Sequence, residues 1–333
     1  MPEARRTDVV LLLVALVWGS SYLAAKTASE AEPVTVVLFL RYLLSTAAGV
    51  ALVLGSRRRG RPRWTRDEVR VGSVLGLSQA AVLALETYGV AHTTAANAGL
   101  LISLTLVITP LLDRAGGGRL PRRFFLTAGV CVVAVGLLTA GQGLHPPGVG
   151  DLLVLAAAVA RAGHVALVGR FTRRRFSGGR ALRPLRLTTV QTAVGTVLFL
   201  VPAAPGLPAT PGAGGAVWFE LAYLAVLCSL FAFLAQTWAV QRGSATRASL
   251  LLGTEPVWAV LVGLGLGGER LTPFTAAGAC LMVVGTYWGQ AIERSHRSRT
   301  TASGTPAARG GAADEGVADE GVAEEGAGAA SRV

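Results

Sequence analysis

The sequence carries few charged side chains: only 15% of its 333 residues are Asp, Glu, Lys or Arg, against about a quarter in ordinary soluble domains. Hydrophobic residues make up 52%, and the mean hydropathy is +0.52. These values exclude an ordinary soluble domain and predict a membrane-embedded protein. The net charge is +12, but the arginines cluster between apolar runs, where they set membrane orientation. We therefore expect no nucleic acid partner.

Several chemical signatures are also missing. The three cysteines, Cys131, Cys228 and Cys280, lie inside apolar runs without CxxC spacing, which argues against disulfides and a metal site. Without a Walker-type motif, ATP-driven pumping by this chain is not expected. Without an HExxH motif or a Ser/His/Asp set, we expect neither an enzyme nor a cofactor. A membrane-embedded enzyme and a passive channel or lipid-handling protein are kept as alternatives to a secondary transporter.

Long apolar runs dominate what is present. Runs of about 17 to 23 residues are the length of a membrane-spanning helix and predict an all-α polytopic membrane protein with ten spans. Their expected positions are 8–27, 34–55, 70–90, 95–112, 123–142, 150–171, 185–204, 217–239, 246–267 and 273–292.

The connections between these spans alternate in charge. Arginines concentrate in the connections at Arg57 to Arg66, Arg114 to Arg123, Arg173 to Arg183 and at Arg242, whereas the intervening connections carry almost none. Because Lys and Arg favour the cytoplasmic side, the alternation supports an even number of spans. It predicts a multi-pass protein of the cell membrane with both termini in the cytoplasm.

The chain repeats itself at a distance of 150 residues. The stretch from Tyr88, YGVAHTTAANAGLLISLTLV, aligns without a gap with WAVQRGSATRASLLLGTEPV from Trp238. Half of ten spans is five, and an odd-numbered repeat inserts upside down relative to its twin, as in many secondary transporters. We therefore predict two inverted five-helix repeats, 8–143 and 148–292, around a central cavity. A cytoplasmic N-terminus (1–7) precedes them, and a disordered cytoplasmic tail (293–333) follows.

An acid and a proline interrupt the ninth span. Between Ala248 and Gly268 the only ionisable side chain is Glu255, and Pro256 follows it. A charge in mid-membrane is costly and is normally turned toward a partner or a wet cavity. Pro256 cannot donate to the carbonyl of Leu252, so a kink is expected. The alternatives are a structural kink with a satisfied Glu255 and a polar wall of a substrate pathway.

Four charges of balanced sign lie within predicted spans: Arg41, Glu86, Arg161 and Glu255. From their expected depths, Arg41 and Glu86 both lie in the outer half, and Arg161 and Glu255 lie near the midplane. Two ion pairs are one interpretation, since lipid leaves few other ways to satisfy them. In the functional interpretation, Arg161 binds a substrate carboxylate while Glu255 exchanges a proton.

Uncharged candidates for the cavity wall include polar and aromatic residues. His164 follows Arg161 by three residues, on the same helical face, and is either titratable or a packed, hydrogen-bonded residue. Asn97 lies near a helix start, so capping competes with a wall position. The other candidates are Trp18, Ser20, Tyr22, Gln236 and Trp258.

Taken in order, these features resemble one family. Trp18-Gly19-Ser20-Ser21, Arg41, the Ala-Asn-Ala-Gly-Leu-Leu stretch from Ala96, Glu255-Pro256 and Gly267-Gly268-Glu269-Arg270-Leu271 are similar to motifs of EamA-type members of the drug/metabolite transporter superfamily. The resemblance covers roughly residues 8 to 292. It implies two five-helix inverted repeats around a central cavity that move small metabolites, amino acids or drugs by alternating access, often outward. Apart from the resemblance, we expect a monomer or homodimer in the lipid bilayer, with protons as a candidate coupling ion. The sequence departs from the family at Leu106, where proline is common, and at Arg161, an unusual charge.

Overall fold

A computed structural model describes residues 3–57, 64–114, 122–140, 148–173, 182–242, 252–268 and 272–303. Regular structure within these ranges is entirely helical, as expected from the sequence. Contacts divide the chain into a large compact unit, Met1–His296, and a second unit, Arg297–Val333. Of the second unit, only residues 297–303 are described, and they are helical.

Six helices form the first half of the described chain. Their bounds are α1 Glu3–Ala31, α2 Val34–Arg57, α3 Arg66–Val90, α4 Ala95–Ile102, α5 Thr105–Arg114 and α6 Arg122–Ala140.

The second half begins at α7 and contains a continuous helix with an unusual middle. Its elements are α7 Val149–Arg173, α8 Pro184–Ala203, a 3₁₀ turn Thr210–Gly212, α9 Gly215–Tyr223, a π-helical segment Leu224–Phe231, α10 Ala232–Arg242, α11 Glu255–Gly265 and α12 Pro273–Ser303.

Membrane-spanning character is clearest in six described helices, which are long and apolar enough to cross a bilayer: Asp8–Ala31, Val34–Ser56, Arg66–Val90, Val149–Val168, Pro184–Ala203 and Gly215–Trp238. Their outward faces are apolar: Val197, Val201 and Phe219 are each more than 70% exposed. Exposed apolar surface of this kind marks an interaction surface in a soluble protein, but on spanning helices it faces lipid. The residues of the other four expected spans lie on α4 with α5, on α6, on the described part around α11 and on α12, and the count of ten spans stays a prediction.

Helix starts follow ordinary capping chemistry. Thr65 and Glu68 form a reciprocal capping box at the start of α3, which satisfies two otherwise free backbone donors. Thr94 accepts a hydrogen bond from the Asn97 N–H at the start of α4. Pro184 opens α8, where a missing N–H costs nothing.

The fourth expected span is broken, although the sequence predicts a continuous helix over 95–112. Its first helix ends at Ile102, and the second begins at Thr105. At the break, Ser103 N–H donates to the Leu100 carbonyl at 3.2 Å, and Leu104 N–H donates to the Leu101 carbonyl at 3.1 Å. These tighter bonds close the last turn of α4. No proline stands at the break, so the sequence does not predict an interruption there.

The ninth expected span is interrupted one residue before its acid. α11 begins at Glu255, with Pro256 in its first turn, where proline fits without losing a helical hydrogen bond. The expected mid-helix kink is therefore a helix start. The break also has the same bonding as the break in the fourth span: Val257 N–H donates to the Thr254 carbonyl, and 150 residues earlier Val107 N–H donates to the Leu104 carbonyl. Residues 246–251 of the expected span lie outside the described residues.

The last helix is longer than the composition predicts. α12 extends to Ser303, so residues 293–303, assigned from composition to the disordered tail, are helical. The rest of that tail, 304–333, lies outside the described residues.

Helices of the first half pack directly against helices of the second. α2 packs along α8, α3 packs along α7 and α8, and α1 packs along α11. Two glycines permit close approach. A Cβ at Gly195 would overlap the Tyr42 ring, and one at Gly99 would overlap the Ala259 Cβ. Small residues allow membrane helices to approach where lipid offers no hydrophobic drive.

Candidate functional site

A bidentate ion pair lies at the centre of the candidate site. Arg161 on α7 donates from both terminal nitrogens to the two carboxylate oxygens of Glu255, each at 3.0 Å. Glu255 is the first residue of α11, where the helix dipole favours a negative charge. The pair expected from sequence between these two residues is therefore present, and it neutralises both charges.

Two aromatic residues of α1 complete the surroundings of this pair. Tyr22 donates its hydroxyl to the Oε1 atom of Glu255 and lies 3.3 Å from an Arg161 nitrogen. The Arg161 guanidinium lies 4.7 Å from the centre of the Trp18 ring, within cation–π range. Because α1 belongs to the first half and both charges to the second, these contacts join the two halves.

The π-helical segment Leu224–Phe231 supplies polar groups to side chains of neighbouring helices. Its Cys228 carbonyl accepts a 3.0 Å hydrogen bond from the Trp18 ring nitrogen, and its Ala225 carbonyl accepts a 2.8 Å bond from Ser45. The Ser229 hydroxyl accepts a 2.7 Å bond from Nε of Arg41. π-helical turns are frequent at functional sites, and this one orients side chains of α1 and α2.

The second ion pair considered from sequence is not formed. Arg41 bonds to Ser229, and within the described ranges Glu86 has neither a hydrogen bond nor a salt-bridge partner within 4.0 Å. Both residues line the same cavity. The membrane depths expected from the sequence place Arg41 and Glu86 near each other. They do not predict the Ser229 hydroxyl, which lies on the π-helical segment and bonds to Arg41 instead.

His164 is packed and hydrogen-bonded. Its Nδ1 lies 2.8 Å from the Ser78 hydroxyl, and that hydroxyl also donates to the Leu75 carbonyl at 2.9 Å. Ser78 has a single hydroxyl proton, so Nδ1 must be the donor in the first bond. In the neutral ring, Nε2 then carries the lone pair and is an acceptor.

These groups enclose a cavity of about 30 Å³, which is enough for one or two waters and too small for a metabolite. Eight residues predicted from sequence line it: Trp18, Tyr22, Arg41, Glu86, Arg161, His164, Gln236 and Glu255. The remaining lining residues are Ser21, Gln79, Val82, Leu83, Val165 and Phe233.

Three predicted site residues lie elsewhere. Ser20 points into a separate cleft and lies 2.5 Å from the Tyr223 hydroxyl. The side-chain amide of Asn97 donates to the Asp151 carboxylate at 2.6 Å. The helix cap at this position, one of the two roles the sequence allows for Asn97, is provided by Thr94. Trp258 packs beside Gly19. Ser20 precedes the cavity residue Ser21, and adjacent positions on a helix point in different directions, so Ser20 leaves the cavity.

Gln79 is a cavity residue that the sequence reasoning missed. It precedes Glu86 by seven residues, about two helical turns, which places both on one face of α3. A polar residue two turns from a buried charge was the available signal. The described residues contain no group of three or more His, Cys, Asp or Glu side chains that could hold a metal ion.

The apolar spanning helices and the buried polar centre are those of a multi-pass membrane protein. The family model described as "EamA-like transporter family" matches residues 5–140 and 148–288. The chain belongs to this family, and the two matched segments give it a two-repeat architecture.

Individual relatives of the chain are also named as transporters. An "Uncharacterized transporter" of Archaeoglobus fulgidus is 27% identical over 296 residues, covering 85% of this chain and 96% of the relative. A second "Uncharacterized transporter" of the same organism is 24% identical over 288 residues, covering 83% of each chain. A solved crystal structure, 21% identical, aligns with a TM-score of 0.56 over 86% of this chain and 97% of its own, which shows similarity of fold.

Proposed function

We propose that this protein is a secondary transporter that exports small metabolites, amino acids or drugs across the cell membrane by alternating access. The observation that carries the proposal is the Arg161–Glu255 pair. It lies at a helix break, beside a small cavity lined by both halves of the chain. Intramembrane charges on broken helices are characteristic of substrate and ion sites in such transporters.

The proposed architecture is ten spans in two inverted five-helix repeats, with both termini cytoplasmic. The shared bonding at Leu104 and Thr254, 150 residues apart, supports it, as does the two-segment family match. Arginine-rich connections on alternate sides support the orientation. The assembly is a monomer or a homodimer.

Alternating access is supported by the spaces along α1. A cleft of about 640 Å³ includes Val10 in its lining, and one of about 620 Å³ includes Lys26 and Glu30. The central cavity lies between them, at Trp18 and Tyr22, and holds about 30 Å³. This conformation resembles an occluded state, in which neither larger cleft reaches a substrate-sized central space.

Glu255 is the proposed proton acceptor. A proton on Glu255 would remove the charge that holds Arg161 and weaken both bonds of the pair. Since Arg161 is on α7 and Glu255 on α11, release of the pair frees two helices to move. It also exposes the Arg161 guanidinium, which can then accept a substrate anion. Proton uptake and helix movement are thereby coupled.

The test begins with a metabolite and toxic-compound screen of overexpressing and deletion cells, followed by counterflow of the compounds found in proteoliposomes. We expect saturable, pH-dependent counterflow. Glu255→Gln should abolish its pH dependence, whereas Asp67→Asn, which neutralises an acid in the first turn of α3, should leave it unchanged. Linear, unsaturable flux would favour a channel, and product formation without transfer would favour an enzyme.

A further inference from the structure

A cleft of about 640 Å³ lies at the start of α8, where Arg183 and Arg186 line it. We call it the α8 cleft. Its volume falls within the range of about 300–1,000 Å³ that is usual for ligand sites. It shares none of its described lining residues with the central cavity. Residues of α1, α2 and α10 also line it, and in the proposed orientation these are the cytoplasmic ends of the helices.

The two arginines of the α8 cleft differ in their partners. Arg186 is paired: its Nη1 atom lies 3.3 Å from the Glu68 carboxylate, and its guanidinium lies 5.7 Å from the centre of the Trp64 ring. Arg183 precedes α8, and its Nη1 atom is buried without a hydrogen-bond partner in the part of the chain that the structure describes. Buried polar atoms nearly always have a partner, so this nitrogen points to a ligand.

The complement of the unpaired group is an oxyanion. A guanidinium presents its N–H donors in a rigid fork that matches phosphate and carboxylate oxygens. Among the described residues, Glu68 neutralises Arg186, and no salt bridge neutralises Arg183. The connections that follow Ser56 and precede Arg183 in the sequence add further positive charge with Arg58, Arg59, Arg61, Arg174, Arg175 and Arg180. Basic pockets between membrane helices on the cytoplasmic side are typical of sites for anionic lipid headgroups.

The remainder of the cleft suits a hydrocarbon chain. Phe231, Leu234, Ala235 and Trp238 all line it, and their spacing of three, four and seven residues places them on one helical face. From Trp238 to Phe231 this face extends about 10 Å along the helix axis, away from the cytoplasmic end at Arg242. A soluble anion would leave this apolar face against water, whereas an acyl chain would cover it.

We propose that the α8 cleft binds an anionic phospholipid of the cytoplasmic leaflet. The phosphodiester oxygens accept the hydrogen bond of the Arg183 Nη1 atom, and one acyl chain lies along the face of Phe231, Leu234 and Trp238. A zwitterionic phospholipid offers the same phosphate but adds a cation beside the arginines, so it binds more weakly. The site lies outside the central cavity, and its occupation does not depend on the identity of the transported compound or on the direction of transport.

The test measures lipid binding to the purified full-length protein in detergent micelles. The probes are phosphatidylglycerol and phosphatidylcholine with identical brominated acyl chains, because bromine quenches the fluorescence of a tryptophan that it contacts. We expect saturable quenching, with a Kd about 5-fold lower for phosphatidylglycerol, which is the attraction of about one arginine for an anionic lipid. Trp238→Phe should remove most of this quenching. Trp218→Phe, on α9 and outside the cleft lining, is the control and should retain it.

Charge variants assign the headgroup. Arg183→Gln should remove the preference for phosphatidylglycerol over phosphatidylcholine and weaken the binding of both, because both lose the hydrogen bond to phosphate. Arg170→Gln makes the same change at an exposed residue of α7 that does not line the cleft. This control should keep the preference.

A second pair of variants assigns the acyl chain. Leu234→Asn places an amide on the apolar face and should weaken both lipids equally without altering the preference between them. Leu200→Asn, at a residue of α8 that is 48% exposed and outside the cleft lining, is the matched control and should bind both lipids as the wild type does.

Glycerol 3-phosphate, the headgroup without chains, separates a lipid site from a site for soluble anions. At millimolar concentration it should not displace the lipid, and displacement at the affinity of the lipid overturns the proposal. Equal Kd values for the two lipids, quenching that survives Trp238→Phe, or loss of the preference in Arg170→Gln as well as in Arg183→Gln also overturns it. If Arg183→Gln does not fold, the wild-type comparison and Trp238→Phe still decide. None of these results depends on flux, so the proposed transport function is judged separately by counterflow.

Discussion

The hydroxyl oxygens of Thr46 and Thr196 lie 3.1 Å apart, and the two residues are separated by 150 positions. This is the same separation at which the stretch from Tyr88 aligns with the stretch from Trp238. A residue that contacts its own counterpart in a repeat lies next to the axis that relates the copies. The contact, on the α2–α8 interface, therefore supports the proposed symmetry between the two halves.

This contact predicts an efficient cross-link. Thr46→Cys combined with Thr196→Cys should form a disulfide under mild oxidation, because the short distance between the hydroxyl oxygens favours a reachable bond. A protease site introduced within residues 174–181 would divide the chain into one fragment that carries Thr46 and one that carries Thr196, and gel mobility reports whether a disulfide holds the two fragments together. Thr46→Cys with Thr237→Cys is the control and should not cross-link. Equal cross-linking of both pairs would contradict the proposed axis.

Replacing one partner of the central ion pair should lower the stability of the fold by more than replacing both partners, so the two charges are tested together. Arg161→Gln or Glu255→Gln alone leaves one charge buried without its partner, which costs about 3–5 kcal/mol in comparable pairs. The double variant should be destabilised by less than the sum of the two. Thermal unfolding in detergent of the four proteins forms the double-mutant cycle. Additive losses would show that the observed pair contributes no coupling.

Gly99 should tolerate no side chain unless its neighbour shrinks. A Cβ there would overlap the Ala259 Cβ, so Gly99→Ala should destabilise by about 1–3 kcal/mol through overpacking. Adding Ala259→Gly should recover most of the loss. Gly129→Ala, where nothing lies within 4 Å, is the control and should be neutral in the same unfolding assay. Failure of the rescue would mean that α4 and α11 do not approach as described.

Ser229 should support transport by holding the Arg41 side chain. Ser229→Ala removes the 2.7 Å acceptor of the Arg41 Nε and should reduce transport by about 10-fold, the effect of one hydrogen bond to a charged group. Ser295→Ala is a suitable comparison, because Ser295 also bonds to a carbonyl of its own helix but is exposed. Equal counterflow rates in the two variants would show that the π-helical segment does not support transport by holding Arg41.

The sequence predicts the helices well because their signal is local. Apolar runs and capping residues fix where α1, α2, α3, α7 and α8 lie within a few residues. The balanced charges and their depths also predict the Arg161–Glu255 pair. Depth along a span follows from counting residues, so charges at the same depth can be matched from the amino-acid sequence alone.

What the sequence misses depends on rotation about a helix axis and on backbone irregularity. The break at Ser103 has no proline to mark it. Ser229 lies on the π-helical segment and accepts the hydrogen bond of Arg41, whereas the sequence predicts Glu86 as the partner of Arg41. Ser20 and Trp258 fail as cavity residues because each points away from the central cavity, although each lies within four residues of a residue that lines it.

Alternating access is tested most directly by the reach of a reagent into the central cavity from each side of the membrane. Gln236→Cys, in a background with the three native cysteines replaced, places one thiol at the cavity wall. An impermeant thiol reagent should label it in both right-side-out and inside-out vesicles, and a saturating transported substrate should slow the reaction from either side. Labelling from one side only, or at a rate that no substrate changes, would contradict alternating access through this cavity.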